Sequence, residues 1–315
     1  MNVSSFGRPL RVAVLAGGDS AEREISLRSG AAVAQALCEA GHQTVAIDLA
    51  GRDLESVDWT RIDVCFLALH GGAGEDGRVQ QQLSRLGVPY TGSGPDACRL
   101  AMSKTASKQR FVERGVPTLP WATIDVYDAL SDPLTRCEPL GYPLVVKPDG
   151  QGSSLGVAVA DDAQSLAAAV EAASLYDEFV LVEPLVRGRE FTVAVLGERA
   201  LPMIEVVSPA RVFSYEAKYA SAQTEYRFDF ELPTRTHAAL LVAATGAAQA
   251  LGTSGLVRVD LMVGDDQRVW VLEVNTIPGL TPRSLAPLAA QRAGLPMAAL
   301  CDALLRHCLE TAEVA

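Results

Sequence analysis

Apolar and polar positions alternate along the chain in two rhythms, one of about two residues and one of about three and a half. Arg11–Ala16 is a short buried-type strand ended by the turn Gly17-Gly18, and Ser20–Ala40 has helical spacing up to Gly41, which suits the position just past a helix end. Thr44–Leu49 and Ile62–Leu69 read as two further strands. A glycine-rich loop, a helix at Arg78–Leu86 and a short strand at Val88–Tyr90 follow. This strand–helix alternation predicts a parallel sheet with helices on its faces. Ligands bind such sheets at the carboxyl ends of the strands, here the loops 17–22 and 70–77.

A second unit opens with a helix at Lys104–Arg114. It continues with strands at Leu144–Lys147 and Val157–Val159, a helix near Ala163–Ser174 and a strand at Phe179–Glu183, with 131–139 as a connecting loop. A third unit holds strands at Glu190–Leu196 and Ala200–Val207 and a long polar, aromatic loop from Ser208 to Pro233. A helix at about 236–251, a hairpin at 256–274 and helices near 285–291 and 296–309 complete it. No internal repeat is visible.

The hairpin carries the most pointed chemistry. Residues two apart on a strand share a face, so Arg258 and Asp260 point one way, and so do Glu273 and Asn275. Valine and leucine fill 257, 259, 261, 272 and 274, the expected core face. A two- or four-residue turn centred on Asp265-Asp266 pairs even with odd positions and gathers all four polar side chains on one face. Two carboxylates and an amide oxygen suit hard Mg²⁺ ions, and an adjacent arginine can oppose phosphate charge.

Lys147 leaves a strand into the loop Pro148-Asp149-Gly150-Gln151-Gly152-Ser153-Ser154-Leu155-Gly156, whose backbone N–H groups and hydroxyls can fold around phosphate oxygens. Tyr215–Tyr219, in the long loop, is a candidate lid. Other residues read more plainly by themselves. Lys104 and Lys108, one helical turn apart, read as a solvated helix face, and Glu183 as a surface residue. Glu22 reads as a first-turn partner of the helix dipole, and His70 equally well as a structural histidine or a site residue. Gly72–Gly77 matches GxGxxG, but it follows the third strand of its unit instead of opening the first, and no acidic residue follows at the usual spacing. Dinucleotide binding is therefore set aside, and no GxxxxGK[ST] is present.

Composition narrows the class. With 27 Lys+Arg against 38 Asp+Glu, a net charge of −11 argues against a nucleic-acid partner. The polar stretch Met1–Leu10 and the short apolar run Val12–Ala16 suggest neither a signal segment nor a membrane partner. Six scattered cysteines without a CxxC pair read as reduced core residues of a cytoplasmic protein, and the four histidines lack zinc-ligand spacing.

Taken together the motifs resemble the D-alanine–D-alanine ligase family of the ATP-grasp superfamily. They are Gly17-Gly18 through Glu22 to Ser26, His70–Gly77, Tyr90–Gly94, Gly152–Gly156, Glu216–Tyr219, Arg258–Asp260 and Glu273–Gly279, running in the family's order from about residue 10 to 305. The resemblance implies an α/β chain of ATP-grasp architecture, with an N-terminal parallel-sheet substrate domain (1–92) and two α+β domains clamping ATP, a central one (93–186) and a C-terminal catalytic one (187–315). It implies ATP-dependent ligation of two D-alanines through a D-alanyl phosphate, for peptidoglycan precursor synthesis, by a homodimer.

The resemblance also implies individual roles. Lys104 and Lys147 would bind the α- and β-phosphates, Glu183 and Val186 adenine, Glu190 the ribose and Lys218 the γ-phosphate. Asp260, Glu273 and Asn275 would hold two Mg²⁺, with Mn²⁺ as a substitute. Arg258 and the Gly279 N–H would stabilise the transferring group. Glu22 would receive the ammonium of the first D-alanine in a pocket lined by His70. Ser284 and Leu285, with Lys218, would receive the second D-alanine. Tyr219 and Ser153 would tie the lid loop to Glu22. Ser103, Gln151 and Pro282-Arg283 differ from common family residues, and Tyr219 favours D-alanine over D-lactate as acceptor. The alternatives are another ATP-grasp carboxylate–amine ligase, or a nucleotide-binding regulator without catalysis.

Overall fold

The computed structural model describes residues 8–128, 132–208 and 224–312. Three sheets organise them. The first is parallel, with β1 (Arg11–Ala16) between β2 (Gln43–Asp48) and β3 (Val64–Leu67). Helix α1 (Arg23–Glu39) crosses between β1 and β2 and begins three residues later than its apolar spacing suggests. The delay has a local cause: the Ser20 hydroxyl and carbonyl take the N–H groups of Glu22 and Arg23 in a turn that must close first. The expected strand at Val88–Tyr90 is a single parallel bridge between Cys65 and Tyr90. Pro89 has no N–H to extend a ladder. Helix α2 (Arg78–Arg85) falls where expected.

Two helices follow, α3 (Pro95–Met102) and α4 (Lys104–Glu113). The first was not foreseen, although Pro95 directly after Gly94 is a helix-start signal. The second sheet is antiparallel, in the order β4 (Ala122–Asp125), β7 (Phe179–Pro184), β5 (Leu144–Pro148), β6 (Ala158–Ala160). Strand β4 was also unforeseen. The supposed loop 131–139 contains a short helix α5 (Pro133–Cys137), capped by Asp132 on the N–H groups of Leu134 and Thr135. Helix α6 (Ala163–Ser174) has the predicted limits because Asp162 and Ser165 form a reciprocal capping box.

The third sheet runs β11 (Glu225–Arg227), β10 (Ile204–Val207), β8 (Gly188–Leu196), β12 (Leu256–Gly264), β13 (Val269–Asn275), with β9 (Arg199–Ala200) also on β8. The single strand expected over 200–207 is broken around Pro202, and β11 lies inside what read as loop. Helix α7 (Thr234–Ala250) covers this sheet, and α8 (Leu285–Arg292) and α9 (Met297–Ala312) close the chain. Five of the six cysteines are buried and Cys38 is exposed. No helix among the described residues is long and apolar enough to cross a membrane.

Strand alternation decides where the site can form. In the second sheet Leu144, Val146, Val180 and Val182 pack on α6, which turns Val145, Lys147 and Glu183 to the opposite face. In the third, Val257, Val259, Leu261 and Val263 pack with Phe111 and the alanines of α7, which turns Arg258, Asp260 and Met262 away from that core. The faces turned away from α6 and α7 bound one cleft, and α8 covers the third sheet's face only toward Ala194 and Leu256.

Candidate active site

The polar ribbon is as expected, but its register has a different origin. From the turn upward the ladder pairs Val263 with Val269, Met262 with Trp270 and Leu261 with Val271, even with even and odd with odd. One extra residue in β13, Leu272, then shifts the register. Beyond it Asp260 faces Glu273 and Arg258 faces Asn275. This β-bulge places two consecutive side chains on one face. Leu272, expected in the core, therefore lines the cleft beside Glu273, while Val271 and Val274 on either side go inward. Arg258 clasps Asp260 with both arms of its fork, Nε at 2.9 Å and Nη2 at 2.8 Å, and the Thr192 hydroxyl donates to the same carboxylate at 2.7 Å.

On the facing sheet Lys147 pairs with Glu183, whose other oxygen lies 2.8 Å from the ammonium of Lys108. Neither Glu183 nor Lys108 is at the surface: their side chains are 2% and 1% exposed. The reading of Lys108 as a solvated face is corrected, since the helix turns it inward onto the Thr118 hydroxyl (2.9 Å), the Leu119 carbonyl (3.2 Å) and the ring of Trp121. Burial pushes the Glu183 carboxyl up, but the two ammonium groups outweigh it and hold it at about 2. Burial lowers Lys108 despite its partner, whereas Lys147, also opposed by burial, is raised on balance by Glu183.

The glycine loop is held at its root. Asp149 accepts from the Ser103 hydroxyl (2.6 Å) and the Thr105 N–H (2.7 Å), and Gly150 N–H donates to Asp177 (2.6 Å). Lys104 is likewise buried, and its ammonium donates to the Gln151 carbonyl at 2.6 Å. Ser153 and Ser154 have φ of 53° and 55°, the left-handed region where non-glycine residues are strained. The Ser153 hydroxyl donates to Glu22.

Glu22 stands at the start of α1 beside the loop of Gly71. Gly71 has φ 67°, and a Cβ there would lie 2.7 Å from the Glu22 carboxylate, whereas one at Gly74 would meet Leu69 and one at Gly77 the Pro95 carbonyl. His70 uses both ring nitrogens. Nδ1 faces the Ile277 carbonyl at 3.1 Å and so carries the proton, and Nε2 accepts from the Ser29 hydroxyl at 2.9 Å. Ser284 Oγ meets the Thr281 hydroxyl at 2.8 Å and accepts from the Thr281 N–H at 3.2 Å, close against Gly279.

These groups surround two cavities. The larger, about 650 Å³, takes in Lys104, Lys147, Glu183, Val186, Glu190, Asp260 and Glu273. The smaller, about 100 Å³, takes in Glu22, His70, Ser153, Arg258, Glu273, Asn275 and Gly279. Lys104, Gln151 and Glu273 belong to both. Ser284 and Leu285 line neither, and Leu285 packs in part against the core between α1 and α9. Lys218 and Tyr219 lie outside the described residues. Sequence reasoning missed Lys108, Asp149, Thr192 and Glu75, which lines the smaller cavity 3.7 Å from His70. Asp149 and Glu75 sit inside quoted motifs and could have been found there. Lys108 carries no such signal.

Comparison with known families decides between the readings. A model described as the D-ala D-ala ligase C-terminus matches residues 111–306, and one described as the D-ala D-ala ligase N-terminus matches 44–93. The chain belongs to the D-alanine–D-alanine ligase family. It is similar to D-alanine–D-alanine ligases of Pseudomonas putida (45% identical over 311 residues, 99% of this chain and 96% of the relative) and Syntrophotalea carbinolica (43%, covering 94% and 95%). Among solved structures, the D-alanine–D-alanine ligase of Bacillus anthracis superposes with a TM-score of 0.87 at 34% identity, over 97% of this chain and 99% of that one. The same enzyme complexed with ATP gives 0.86 at 31% identity, with the same coverage. The ATP-grasp architecture is thereby that of the family.

Proposed function

We propose that the protein joins two D-alanines into D-alanyl-D-alanine, consuming ATP and releasing ADP and phosphate, a step that supplies a peptidoglycan precursor. The observation that carries this reading is the wall of Lys104, Gln151 and Glu273 shared by a nucleotide-sized cavity and an amino-acid-sized one. A phosphoryl group can cross there from one occupant to the other.

A carboxylate is a poor electrophile, so it must first take the γ-phosphoryl group of ATP, a charge-dense transfer that depends on fixed cations. Adenine lies against Val186 and Glu183, the ribose against Glu190, and the phosphates against Lys104, Lys147 and Lys218. The first D-alanine places its ammonium on Glu22, beside His70, with its carboxylate toward Arg258. After transfer, the amine of a second D-alanine, seated by Ser284, Leu285 and Lys218, attacks the acyl phosphate. Arg258 and the Gly279 N–H stabilise the tetrahedral oxyanion, and phosphate leaves. Ser153 and Tyr219 latch the loops over Glu22, excluding water that would hydrolyse the acyl phosphate.

Asp260, Glu273 and Asn275 fit two Mg²⁺ ions by their chemistry. They are oxygen donors on one face of the ribbon, the donor type taken by a hard ion that keeps places for phosphate and water. Bound there, Mg²⁺ supplies charge neutralisation and orientation of the phosphates. The functional units in this reading are 1–92, 93–186 and 187–315, in a cytoplasmic homodimer.

Mass spectrometry of products from ATP, Mg²⁺ and D-alanine tests the proposal. The dipeptide is expected together with stoichiometric ADP, with D-alanine preferred over D-lactate and D-serine at neutral pH. ATP binding without dipeptide formation would sink it.

A further inference from the structure

The two oxygens of Glu183 are divided between two lysines of unequal position. Lys147 stands on the wall of the larger cavity with its side chain 15% exposed. Lys108 lies behind that wall, closed off by the Thr118 hydroxyl, the Leu119 carbonyl and the Trp121 ring. Its seat is tied to β13, because the Thr118 hydroxyl donates to the Val271 carbonyl at 3.1 Å. A fully buried ammonium that lines neither of the two cavities is costly, and only a compensating charge justifies it.

The pairing sets Lys147 a problem. To serve a nucleotide phosphate its ammonium must turn at least part of its charge from Glu183. With no second cation, that would strand a carboxylate that is 2% exposed. Breaking a buried pair from one side is far more costly than exchanging one partner for another.

We propose that Lys108 is a positioning residue for the nucleotide: the standing counter-ion of Glu183 that releases Lys147 to turn its charge toward a phosphate. The idea rests on the reading that Lys147 binds ATP. Glu183 keeps its ion pair with Lys108 at 2.8 Å throughout, so the exchange at Lys147 swaps a carboxylate for a phosphate and leaves no buried charge without a counter-charge. The strongly depressed Glu183 carboxyl accords with an anion held from both sides.

A double-mutant cycle on the full chain, read by calorimetric ATP binding without D-alanine, tests this. Lys108→Met is expected to weaken ATP at least tenfold when Glu183 is present and less than threefold in the Glu183→Gln background, where no anion can be stranded. Lys108→Gln, which keeps a donor for Thr118 and Leu119, guards against a folding defect and should show the same ratio. Lys108→Arg should recover most of the affinity, and the D-alanine KM should stay within twofold throughout. Equal losses in both backgrounds, or no loss in either, would overturn the proposal. Lys147→Met separates it from the underlying reading. If that variant binds ATP as the parent does, the phosphate role of Lys147 fails and takes the proposal with it; if it binds weakly while the cycle is additive, only Lys108 has been misjudged.

Discussion

The Ser153 hydroxyl donates a hydrogen bond to Glu22 across 131 positions of the chain, joining the strained glycine loop to the start of α1. One end of this link sits where the first amino acid would place its ammonium, and the other in the loop over the phosphates. Removing it with Ser153→Ala should loosen closure without touching the reacting atoms. A hydrogen bond to a charged group contributes about 1.5–3 kcal/mol, so dipeptide formation should fall roughly tenfold or more. ADP release should then exceed dipeptide, because water reaches the acyl phosphate. Parallel ADP and dipeptide assays check this, and an unchanged one-to-one ratio would count against the latch.

Asp260 and Glu273 face each other across the ribbon, and their neutral isosteres keep the shape while removing the charge. Asp260→Asn and Glu273→Gln should each lower kcat by about 100-fold or more and move the Mg²⁺ titration to higher concentration. Chelation should abolish activity in the parent, and added Mg²⁺ should restore it. Magnesium titrations of the three proteins give the comparison.

Arg258→Lys replaces a two-armed fork by a point charge and cannot reproduce the clasp on Asp260. A fall in kcat of about 100-fold is expected, with little change in the ATP KM, since its work falls in the transition state. A variant that raised only the KM would instead place Arg258 in ground-state binding.

The bulge separates two neighbouring residues into different duties. Val271 packs in the core and Leu272 lines the cleft. Val271→Ala should cost about 1–3 kcal/mol in denaturant unfolding, by analogy with other large-to-small core changes, and leave the ATP KM alone. Leu272→Ala should do the reverse, raising the ATP KM several-fold at nearly full stability. A core-facing Leu272 would predict equal losses in stability for both.

Glu183 makes acid stability specific. Its carboxyl titrates near 2 when folded against an ordinary 4.5, so the unfolded chain takes the proton first. The stability it contributes is complete above about pH 4.5 and is lost as pH falls toward 2. The parent's thermal midpoint should drop through that window, and Glu183→Gln should flatten the drop. Parallel curves for the two proteins would contradict the coupling.

Much of this was legible in the sequence, for physical reasons that differ by residue. The ribbon showed itself because strands alternate sides and four polar groups kept that spacing, and α6 because Asp162 and Ser165 mark its start. The bulge was invisible, since nothing in Trp270-Val271-Leu272 says which residue will be skipped, and the correct face for Glu273 was reached through a register the turn does not have. Lys108 was unreadable for another reason. A lysine on a helix is ordinarily solvated, and only the third dimension brings Glu183 against it. Ser284 and Leu285 came from family likeness, and they line neither cavity.

One apolar core unites Leu10, Val14, Val33 and Phe66, near one end of the chain, with Leu300, Leu304 and Leu305 near the other, and His70 fastens the same region to the Ile277 carbonyl. The opening ninety residues are therefore finished only by the closing thirty. Chimaeras that trade the amino-terminal segment between relatives, to graft one protein's amino-acid preference onto another, should succeed when both extremities travel together and precipitate when one is left behind.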